Sequence, residues 1–447
     1  MRDRVRPGLR WGLALLLGAW VSGVPSRAAE GTLTLREALD LAARNNEDVG
    51  IAEARIERAR AIRREAYSAF LPDLAVSGTY TRRSGEVTRE IDGDTVVVQA
   101  VDALSGVATL DLALFDARAF PVARSTTRQL QAQVESSAEI RRALAFGVSE
   151  TYFAVLSAER LRDAAQRRVQ VAEATVSDAR IRLDAGLASG NELTRSELEL
   201  ATAQLARTQA QNSVRTTRLA LGYLIGEDAD RPLEEPAPSP VEPREPEELE
   251  RVAEERRPDL RAAQLRAEVA RLLAREPLLR LVPTLGLRGT YRGTNEAGLS
   301  GNDTDWNVAT TLNWSIFDGG AAFAQRAARR AEYREASLVA DALRRQVGVE
   351  IREARADLDT AQAALEQAEV RARVAQQNAE EVRVRFGEGL ATALEQADAA
   401  VSAFEAEAEL ARQRFALAIS QLAVRRAIGS WPEEEPAEAE RSRAGGP

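Results

Sequence analysis

The feature that most constrains this fold is a long heptad pattern in the second half of the sequence. Apolar residues recur at alternating spacings of four and three, with charged and amide side chains between them. The pattern comprises Val347, Ile351, Ala354, Leu358, Ala361, Leu365, Ala368, Ala372, Ala375, Ala379, Val382 and Phe386. A repeat sustained over more than five heptads predicts one long helix that packs against other helices along its length.

The first half of the sequence carries the same pattern, interrupted by the polar residues Thr151 and Arg162. Its apolar positions are Val148, Val155, Ala158, Ala165, Val169, Ala172, Val176, Ala179 and Leu183. Because no proline lies between Pro121 and Gly186, a helix of ~65–70 residues can form there, roughly 100 Å long at 1.5 Å per residue. Helices this long exceed the width of a globular domain and predict a rod or a tube. The heptads alone leave open a coiled-coil dimer without a bore.

The two halves of the chain are copies of one unit. Gly78-Thr79-Tyr80 recurs 211 residues later as Gly289-Thr290-Tyr291, and Asp48 and Pro72 have counterparts at the same offset. Three further matches follow at offsets of 202 and 203 residues: Phe115-Asp116 with Phe317-Asp318, Gly186–Ser189 with Gly389–Thr392, and Ile225-Gly226 with Ile428-Gly429. Six matches in the same order indicate a tandem duplication.

This duplication divides the chain into parts. We expect a signal peptide at residues 1–28, a first repeat at 29–229, a linker at 230–246, a second repeat at 247–429 and a disordered tail at 430–447. The linker holds six of the sixteen prolines and therefore predicts irregular backbone. The tail is rich in Glu, Ala and Gly, a composition that does not support a packed core. Within the first repeat we expect a helix, two strands, a long helix and a returning helix.

The first 28 residues have the composition of an export signal. Four arginines precede an apolar run from Trp11 to Val24, and the small residues Ser26 and Ala28 follow at cleavage-site spacing. A short N-terminal anchor helix is the alternative interpretation. No later segment approaches ~18 uncharged apolar residues, so the sequence predicts no transmembrane helix.

Each repeat also contains two segments in which large apolar and small polar side chains alternate. These segments are residues 74–81, 108–114, 285–292 and 306–316. Strands with one apolar and one polar face are typical of membrane β-barrels, which carry aromatic side chains at the membrane interfaces. The candidate interface aromatics are Tyr80, Tyr291, Trp306 and Trp314. A soluble hairpin packed on a helix is the alternative, but helices this polar offer no broad apolar surface to cover four strands.

Closure of the sheet sets the expected number of copies. Four strands cannot close into a barrel, and an open edge in lipid leaves backbone groups without hydrogen-bond partners. Two copies would give eight strands, whose interior is filled by side chains. Three copies, with twelve strands, are therefore the smallest assembly with room for a conduit. Their helical hairpins would continue the tube, on the side opposite the loops at residues 82–104 and 292–304.

Short motifs and their order resemble one known family. The strand-to-helix sequence Ser315-Ile316-Phe317-Asp318-Gly319-Gly320, the segments Gly186–Ser189 and Gly389–Thr392, and the duplication look like the TolC family of outer-membrane efflux proteins. The resemblance covers residues 33–429. It implies a homotrimer in which a twelve-stranded β-barrel, surrounded by outer-membrane lipid, joins an α-barrel of long antiparallel helical hairpins in the periplasm. It also implies a passive channel that docks with a periplasmic adaptor protein and an inner-membrane transporter, for efflux or secretion.

The resemblance places candidate functional residues near the turn of the second hairpin. In the family, an acidic residue, two apolar residues and a second acidic residue ring the periplasmic entrance, and Glu395 and Asp398 stand at the two acidic positions here. Three copies of two carboxylates around an axis would favour cations over anions. Alternatively, both are solvated carboxylates near a helix start, where the helix dipole favours negative charge.

The turns of the two hairpins are the candidate adaptor contacts. They comprise Gly186, Leu187, Ala188 and Ser189 in the first repeat and Gly389, Leu390, Ala391 and Thr392 in the second. The glycines permit a tight turn between antiparallel helices, and the apolar residues after them resemble the patch that the family offers to adaptors. Alternatively, these residues only close the turn. Ala391 stands where some members have an arginine that latches the entrance, so the sequence does not predict that latch.

Composition excludes most catalytic chemistry. The sequence contains no His, no Cys and no Lys, so all 60 basic residues are Arg. A Ser-His-Asp triad, a thiol nucleophile, a Schiff-base lysine and a zinc site built from imidazole or thiolate are therefore excluded. Removing residues 1–28, which hold five arginines and one aspartate, changes the formal net charge from −9 to −13, which argues against a nucleic-acid partner.

Three functions remain in order of preference. We expect an outer-membrane channel that is not an enzyme and needs no cofactor. An exported structural coiled-coil protein without a pore is the alternative. An enzyme with paired carboxylates is disfavoured, because no acidic pair falls in a predicted pocket with apolar surroundings.

Overall fold

The computed structural model of the chain describes residues 31–91, 94–236, 245–296 and 302–433. The predicted signal peptide, residues 237–244 of the predicted linker and residues 434–447 of the predicted tail lie outside the described residues.

Long helices and short strands follow one another in both halves. The first half contains α1 (Leu35–Asn45), α2 (Glu47–Ser68), β1 (Asp73–Arg82), β2 (Val87–Ile91), β3 (Asp94–Gln99), β4 (Asp102–Phe115), α3 (Ala119–Asp184) and α4 (Gly190–Ile225). The second half contains α5 (Pro246–Arg256), α6 (Pro258–Leu273), α7 (Glu276–Leu279), β5 (Thr284–Thr294), β6 (Thr304–Asn313), α8 (Ala321–Gly387) and α9 (Ala393–Ala427). The helices α3 and α8 have 66 and 67 residues, about 100 Å each, which confirms the predicted length.

The heptad positions form the contacts between the long helices. α3 packs against α4, and α8 packs against α9, so each half forms one antiparallel hairpin. Every predicted apolar position of the two heptad patterns is buried or half-buried. Contact between α3 and α9 joins the hairpins, which gives the lateral order α8, α9, α3, α4.

Nearer the strands, a different set of helices lies side by side. α2 contacts α3, α3 contacts α6, and α6 contacts α8, which gives the lateral order α2, α3, α6, α8. The short helices of each repeat therefore replace the returning helices in this part of the molecule. No helix among the described residues combines the length and the apolar character needed to cross a membrane.

The four predicted strands form one antiparallel sheet in the order β1, β4, β5, β6. Its register aligns the alternating residues on common faces: Val76 lies opposite Ala108, Ala108 opposite Tyr291, and Tyr291 opposite Trp306. Every residue of the edge strands β1 and β6 is exposed. Because the described helices leave both edge strands uncovered, the alternative of a soluble hairpin packed on a helix does not hold.

Two details of the strands differ from the sequence prediction. β6 ends at Asn313, three residues before the predicted end at Ile316. Just after β6, the indole Nε1 of Trp314 donates to the carbonyl oxygen of Leu281 at 3.0 Å. This hydrogen bond holds Trp314 against the segment between α7 and β5. The loop at 82–104 contains a separate hairpin of β2 and β3, which the sequence did not predict.

The repeat boundaries also differ in detail from the expected ones. Pro246, expected as the last residue of the linker, is the first residue of α5. Ser430 and Pro432, expected in the disordered tail, are buried. Arg425 in α9 donates to the carbonyl oxygen of Pro432 at 2.5 Å, and this contact holds the first residues after α9 against the helix.

The duplication extends to the way the returning helices end. In the first half, Nδ2 of Asn46 donates to the carbonyl oxygen of Leu224 in α4 at 3.1 Å. In the second half, Nη1 of Arg257 donates to the carbonyl oxygen of Ala427 in α9 at 3.2 Å. The donors are 211 residues apart and the acceptors 203, the offsets found in the sequence. Each repeat therefore uses the residue before α2 or α6 to satisfy a terminal carbonyl of its returning helix.

A buried tyrosine ties the start of the chain and the linker to α3. Leu33 and Leu233 form a parallel β-bridge, and the hydroxyl of Tyr152 lies 2.6 Å from the carbonyl oxygens of both Leu33 and Glu234. Burial raises the pKa of Tyr152 to about 12, so the hydroxyl keeps its single proton, which it can donate to either carbonyl or share between them.

Candidate functional site

The two hairpins end in the same type of turn. Gly186 and Gly389 have φ angles of 74° and 76°, in the left-handed region that favours glycine. In each turn the amide of the following leucine donates to a carbonyl oxygen five residues earlier, at 2.8 Å. This is the Schellman arrangement, in which a helix ends at a residue with a left-handed backbone. Glycine adopts this conformation without strain, which explains its presence in each turn.

The leucine after each glycine projects from the end of the molecule. In a Schellman turn this residue often packs on the helix it follows, but Leu187 is 81% exposed and Leu390 65% exposed. Ala188 and Ala391 beside them are half-buried. The turns are therefore closed by backbone hydrogen bonds, and closing them does not bury the leucines.

The helices that return from the turns begin with hydroxyl caps. Ser189 Oγ accepts from the amide of Glu192 at 3.4 Å at the start of α4. At the start of α9, Thr392 Oγ1 accepts from the amide of Glu395 at 3.2 Å, and the Glu395 carboxylate accepts from the Thr392 amide at 2.7 Å. This reciprocal pair is a capping box.

The capping box determines the state of one predicted entrance residue. Hydrogen bonds from the amide and the hydroxyl of Thr392 lower the pKa of Glu395, so its carboxylate is ionised at neutral pH. Glu395 and Asp398 are both exposed on the first turns of α9. Glu395 therefore has a local structural role in a single chain, and the role of both residues at an entrance stays a prediction. Among the described residues, no group of acidic side chains is arranged to hold a metal ion.

An arginine that sequence reasoning missed joins the ends of the two hairpins. Nη2 of Arg182, in the last turn of α3, donates to the carbonyl oxygen of Phe386 at the end of α8, at 2.7 Å. Its guanidinium carbon also lies 4.0 Å from the centre of the Phe386 ring. In the sequence Arg182 occupies an ordinary polar heptad position. The one available signal was Phe386, the single aromatic residue in the second heptad pattern.

Aromatic side chains lie at both ends of the apolar face of the sheet. Tyr80, Tyr291 and Trp306 are exposed near the ends of the strands that lead to the loops. Trp314 is exposed at the opposite end, where β6 leads toward α8. The predicted aromatic positions thus border the apolar face on two sides, and their place at two membrane interfaces stays a prediction.

The other face of the sheet carries charges. Asp111 and Arg288 lie directly opposite each other in register on β4 and β5, and Nε of Arg288 lies 2.6 Å from the carboxylate of Asp111. Arg292 and Asp305 face each other in the same way on β5 and β6. A face with paired charges suits water, and the opposite face suits lipid.

The loop ends of the sheet are tied together between the repeats. The amide of Leu104 donates to Oδ1 of Asn295 at 2.7 Å, and the amide of Ala100 donates to the carboxylate of Glu296 at 2.7 Å. The hydrogen bond from Arg83 lowers the pKa of Glu296. The second repeat therefore holds the base of the longer loop of the first repeat.

Comparison with known proteins matches this architecture. The sequence model of the family described as "Outer membrane efflux protein" matches residues 38–227 and 249–430. Protein CyaE of Bordetella pertussis is 29% identical over 349 residues, which cover 75% of this chain and 71% of the relative.

Solved structures show the same fold at low sequence identity. The CmeC outer membrane channel of Campylobacter jejuni has a TM-score of 0.76 at 16% identity, with 98% of each chain covered. The outer membrane protein VceC of Vibrio cholerae has a TM-score of 0.74 at 20% identity, with 89% of this chain and 97% of VceC covered. The open MtrE outer membrane channel of Neisseria gonorrhoeae has a TM-score of 0.74 at 20% identity, with 90% of each chain covered. The chain belongs to the outer membrane efflux protein family, and its predicted resemblance to TolC-type channels is confirmed.

Proposed function

We propose that this protein is the outer-membrane exit duct of a tripartite efflux or secretion system. A signal peptide at residues 1–28 would direct export. Three copies would close their strands into a twelve-stranded β-barrel and their hairpins into a tube through the periplasm. Substrates would pass without catalysis, and an inner-membrane transporter joined by a periplasmic adaptor would supply the energy. The observation that carries this proposal is the open four-stranded sheet, apolar on one face and charged on the other, attached to helices about 100 Å long.

The sheet requires neighbours if it lies in lipid. Within the described chain, β1 and β6 are its edges, and their outward backbone groups need hydrogen-bond partners in a membrane. Pairing of β1 from one copy with β6 of the next would satisfy both edges. The face with Asp111 and Arg288 would then line the lumen, and the face with Val76 and Trp306 would contact lipid.

The outer helices of each copy carry apolar residues suited to the same assembly. α4 and α8 stand at the two ends of the helical row. Each helix carries exposed apolar residues at heptad spacing, on the side opposite its own hairpin partner. They are Leu198, Leu205 and Leu219 on α4, and Val349, Val370 and Val384 on α8. Packing of α4 from one copy on α8 of the next would bury both stripes and close the tube.

The first test measures assembly. Native mass measurement of protein extracted from outer membranes should show a trimer. Leu205→Glu with Leu219→Glu should reduce it to smaller species, because charges replace apolar contacts between copies. Val171→Glu with Ile181→Glu is the matched control. Ile181 is 64% exposed, as is Leu219, but α3 already has helices on both flanks. Recovery of the wild-type chain as a soluble dimer would contradict the channel and favour the structural coiled-coil alternative.

The hairpin ends would provide the contact with the adaptor. Leu187 and Leu390 offer two exposed apolar side chains on rigid turns, and a rigid apolar anchor binds at low entropic cost. Replacement of both by Ser should weaken capture by the adaptor while the trimer and its conductance persist. Unchanged capture would remove the turns from the proposed interface.

The ring of Glu395 and Asp398 would give the entrance a preference for cations. Conductance of trimers in planar bilayers tests this assignment. Glu395→Gln removes the charge but keeps an acceptor for the Thr392 amide. Asp398→Asn removes the second charge, one turn farther along α9. The double variant should lose cation preference, and Glu366→Gln on the exposed surface of α8 should not. Equal ion selectivity in the wild type, the double variant and Glu366→Gln would show that these carboxylates are surface groups.

A further inference from the structure

The last turns of α2 carry a stripe of arginines that ends in an aromatic ring. Its members are Arg60, Arg63, Arg64 and Tyr67. The spacing of three, one and three residues places them on one face of the helix, and all four are exposed. The Tyr67 ring lies 6.2 Å from that of Phe70, which lies 5.4 Å from that of Phe120 at the start of α3. An aromatic cluster therefore stands where these helices meet the strands, and the arginines lie on its far side.

The first turns of α8 repeat this order. Its stripe comprises Phe323, Arg326, Arg330 and Arg334, whose spacing of three, four and four residues again gives one helix face. Phe323 is exposed in the first turn, next to the strands, and Arg330 and Arg334 are exposed farther along. Both stripes thus run from an aromatic ring beside the sheet to arginines away from it.

Helical geometry places the two stripes on one side of the tube wall. Beyond its first turn, where Val49 is also buried, the buried side of α2 is marked by Ala52 and Ala59, and Ala322 marks the buried side of α8. In both helices the stripe lies about a quarter turn from these alanines, in the same rotational sense. The two helices run in opposite directions and have their neighbours on opposite flanks. Reversing the helix direction would move the stripe to the other side of the wall, and reversing the flank on which the neighbouring helix lies would move it back. Both stripes therefore face the same side of the wall. We assign it as the outer side, because its aromatic rings continue the exposed apolar face of the sheet.

These arginines are unpaired in a chain that is acidic overall. Within the part of the chain that the structure describes, none of the six forms an ion pair, whereas Arg344 and Arg352 farther along α8 pair with Glu254 and Glu250. The formal net charge of the chain is −9. Unpaired guanidinium groups beside exposed aromatic rings therefore mark the membrane end of the helices as a basic surface in an acidic molecule.

We propose that the two stripes bind the anionic headgroups of phospholipids in the periplasmic leaflet of the outer membrane. Aromatic rings favour the level of the headgroups, and guanidinium groups bind phosphate through paired hydrogen bonds. The proposal rests on the proposed function, because it needs the sheet to lie in the membrane. In the lateral order of the helices, α2 and α8 are the two ends. Closing three copies brings the α2 stripe of one beside the α8 stripe of the next, so six arginines flank each subunit boundary.

Native mass spectrometry of the detergent-solubilised trimer tests this directly. The probes are phosphatidylglycerol and phosphatidylcholine with identical acyl chains. The wild-type trimer should bind phosphatidylglycerol at least tenfold more tightly than phosphatidylcholine. Replacing Arg60, Arg63 and Arg64 by Gln, or Arg326, Arg330 and Arg334 by Gln, should weaken phosphatidylglycerol binding tenfold or more, since one arginine near an anionic surface contributes about fivefold. Binding of phosphatidylcholine should not change.

Two further variants separate charge from structure. Replacing Arg195, Arg215 and Arg373 by Gln removes three exposed arginines far from the sheet and should leave lipid binding unchanged. Replacing the three arginines of the α2 stripe by Lys keeps their charge and should retain most of the preference. If the Gln variants fail to assemble, the wild-type preference should still fall as salt rises from about 0.05 to about 0.5 M.

The proposal is overturned by equal binding of the two lipids to the wild-type trimer, by a preference that salt does not change, or by the same loss in the distant control. A change of ion selectivity in the Gln variants with lipid binding intact would place the stripes in the lumen and also overturn it. In each case a conducting trimer would leave the proposed channel function standing.

Discussion

At the scale of single residues, two buried arginines fix the end of α9. Arg142 in α3 donates to the carbonyl oxygen of Arg426 at 2.6 Å and to both carboxylate oxygens of Glu139 at 2.9 Å. Arg257 donates to the carbonyl oxygen of Ala427 and pairs with Asp259 and Glu350. A positive charge at the carbonyl end of a helix is favourable, and the carboxylates offset the cost of burying each guanidinium. Together these contacts join α9 to both repeats.

The pair of Arg257 and Asp259 predicts a sensitivity to acid. Burial alone would raise the pKa of Asp259, but the hydrogen bonds and the charge of Arg257 bring it below its ordinary value. Asp259 therefore contributes stability that is present above the pKa of an unfolded aspartate, about 4, and is lost as the pH falls through the lower folded pKa. Asp259→Asn should lower the free energy of unfolding by ~1–3 kcal/mol at pH 7, and by progressively less as the pH is lowered below about 4 to pH 3. Thermal melts at both pH values measure this difference.

Glu254→Gln provides the control for this prediction. Its carboxylate pairs with Arg344 on the surface, and exposed pairs contribute ~0–1 kcal/mol. A loss of stability for Asp259→Asn that is the same at pH 7 and pH 3 would show that its charge does not matter.

Tyr152 gives a second prediction at this scale. Tyr152→Phe removes only the hydroxyl that lies against the carbonyl oxygens of Leu33 and Glu234, and the buried carbonyl of Leu33 keeps only the amide of Glu234 as a donor. We expect a loss of ~1–3 kcal/mol, together with faster hydrogen exchange in the segment around Leu33. Tyr223→Phe, at an exposed tyrosine on α4, should change neither quantity. Unchanged exchange around Leu33 in Tyr152→Phe would mean that the bridge between Leu33 and Leu233 holds without the hydroxyl.

At the scale of elements, the sequence predicted regular structure well and its ends less well. The heptads predicted α3 and α8 because burial along a helix follows from spacing alone, and alternation predicted the four strands of the sheet for the same reason. The end of β6 depends on the bond between Trp314 and Leu281, a contact across the fold that no local pattern encodes. The bonds of Arg142 and Arg182 were missed for this reason too, because their acceptors are backbone carbonyls of the other repeat.

The capping box at α9 predicts a local effect. Thr392→Ala removes the acceptor for the Glu395 amide and one donor to its carboxylate, at a cost of ~1 kcal/mol. Because the first turn of α9 lies next to the hairpin turn, at the end of the helix, we expect faster hydrogen exchange there and little change elsewhere. Ser402→Ala, at an exposed site in the middle of α9, should leave exchange in the first turn unchanged. Uniformly faster exchange in Thr392→Ala would indicate global destabilisation instead.

At the scale of the whole molecule, the pairing of β4 with β5 joins the repeats in the sheet, and two further sets of contacts join them along the hairpins. One lies at the end of α9, where Arg142 of the first repeat meets Arg426 of the second. The other lies at the opposite end of the hairpins, where Arg182 meets Phe386. Between these points α3 packs along α9. The four long helices of one chain therefore form a single row joined at both ends, and the bond of Arg182 opposes separation of the hairpin turns.

This arrangement predicts that Arg182 limits the separation of the two turns. Arg182→Gln removes the charge and the contact with the Phe386 ring, so the turns should sample a broader range of distances. Since the chain contains no cysteine, spin labels at Leu187→Cys and Leu390→Cys report that distance by pulsed electron paramagnetic resonance, with labelled chains diluted in unlabelled ones so that distances between copies of the proposed trimer do not contribute. Arg180→Gln is the matched control, because Arg180 pairs with Glu197 inside its own hairpin. A distribution as narrow in Arg182→Gln as in Arg180→Gln would mean that helix packing alone holds the turns together.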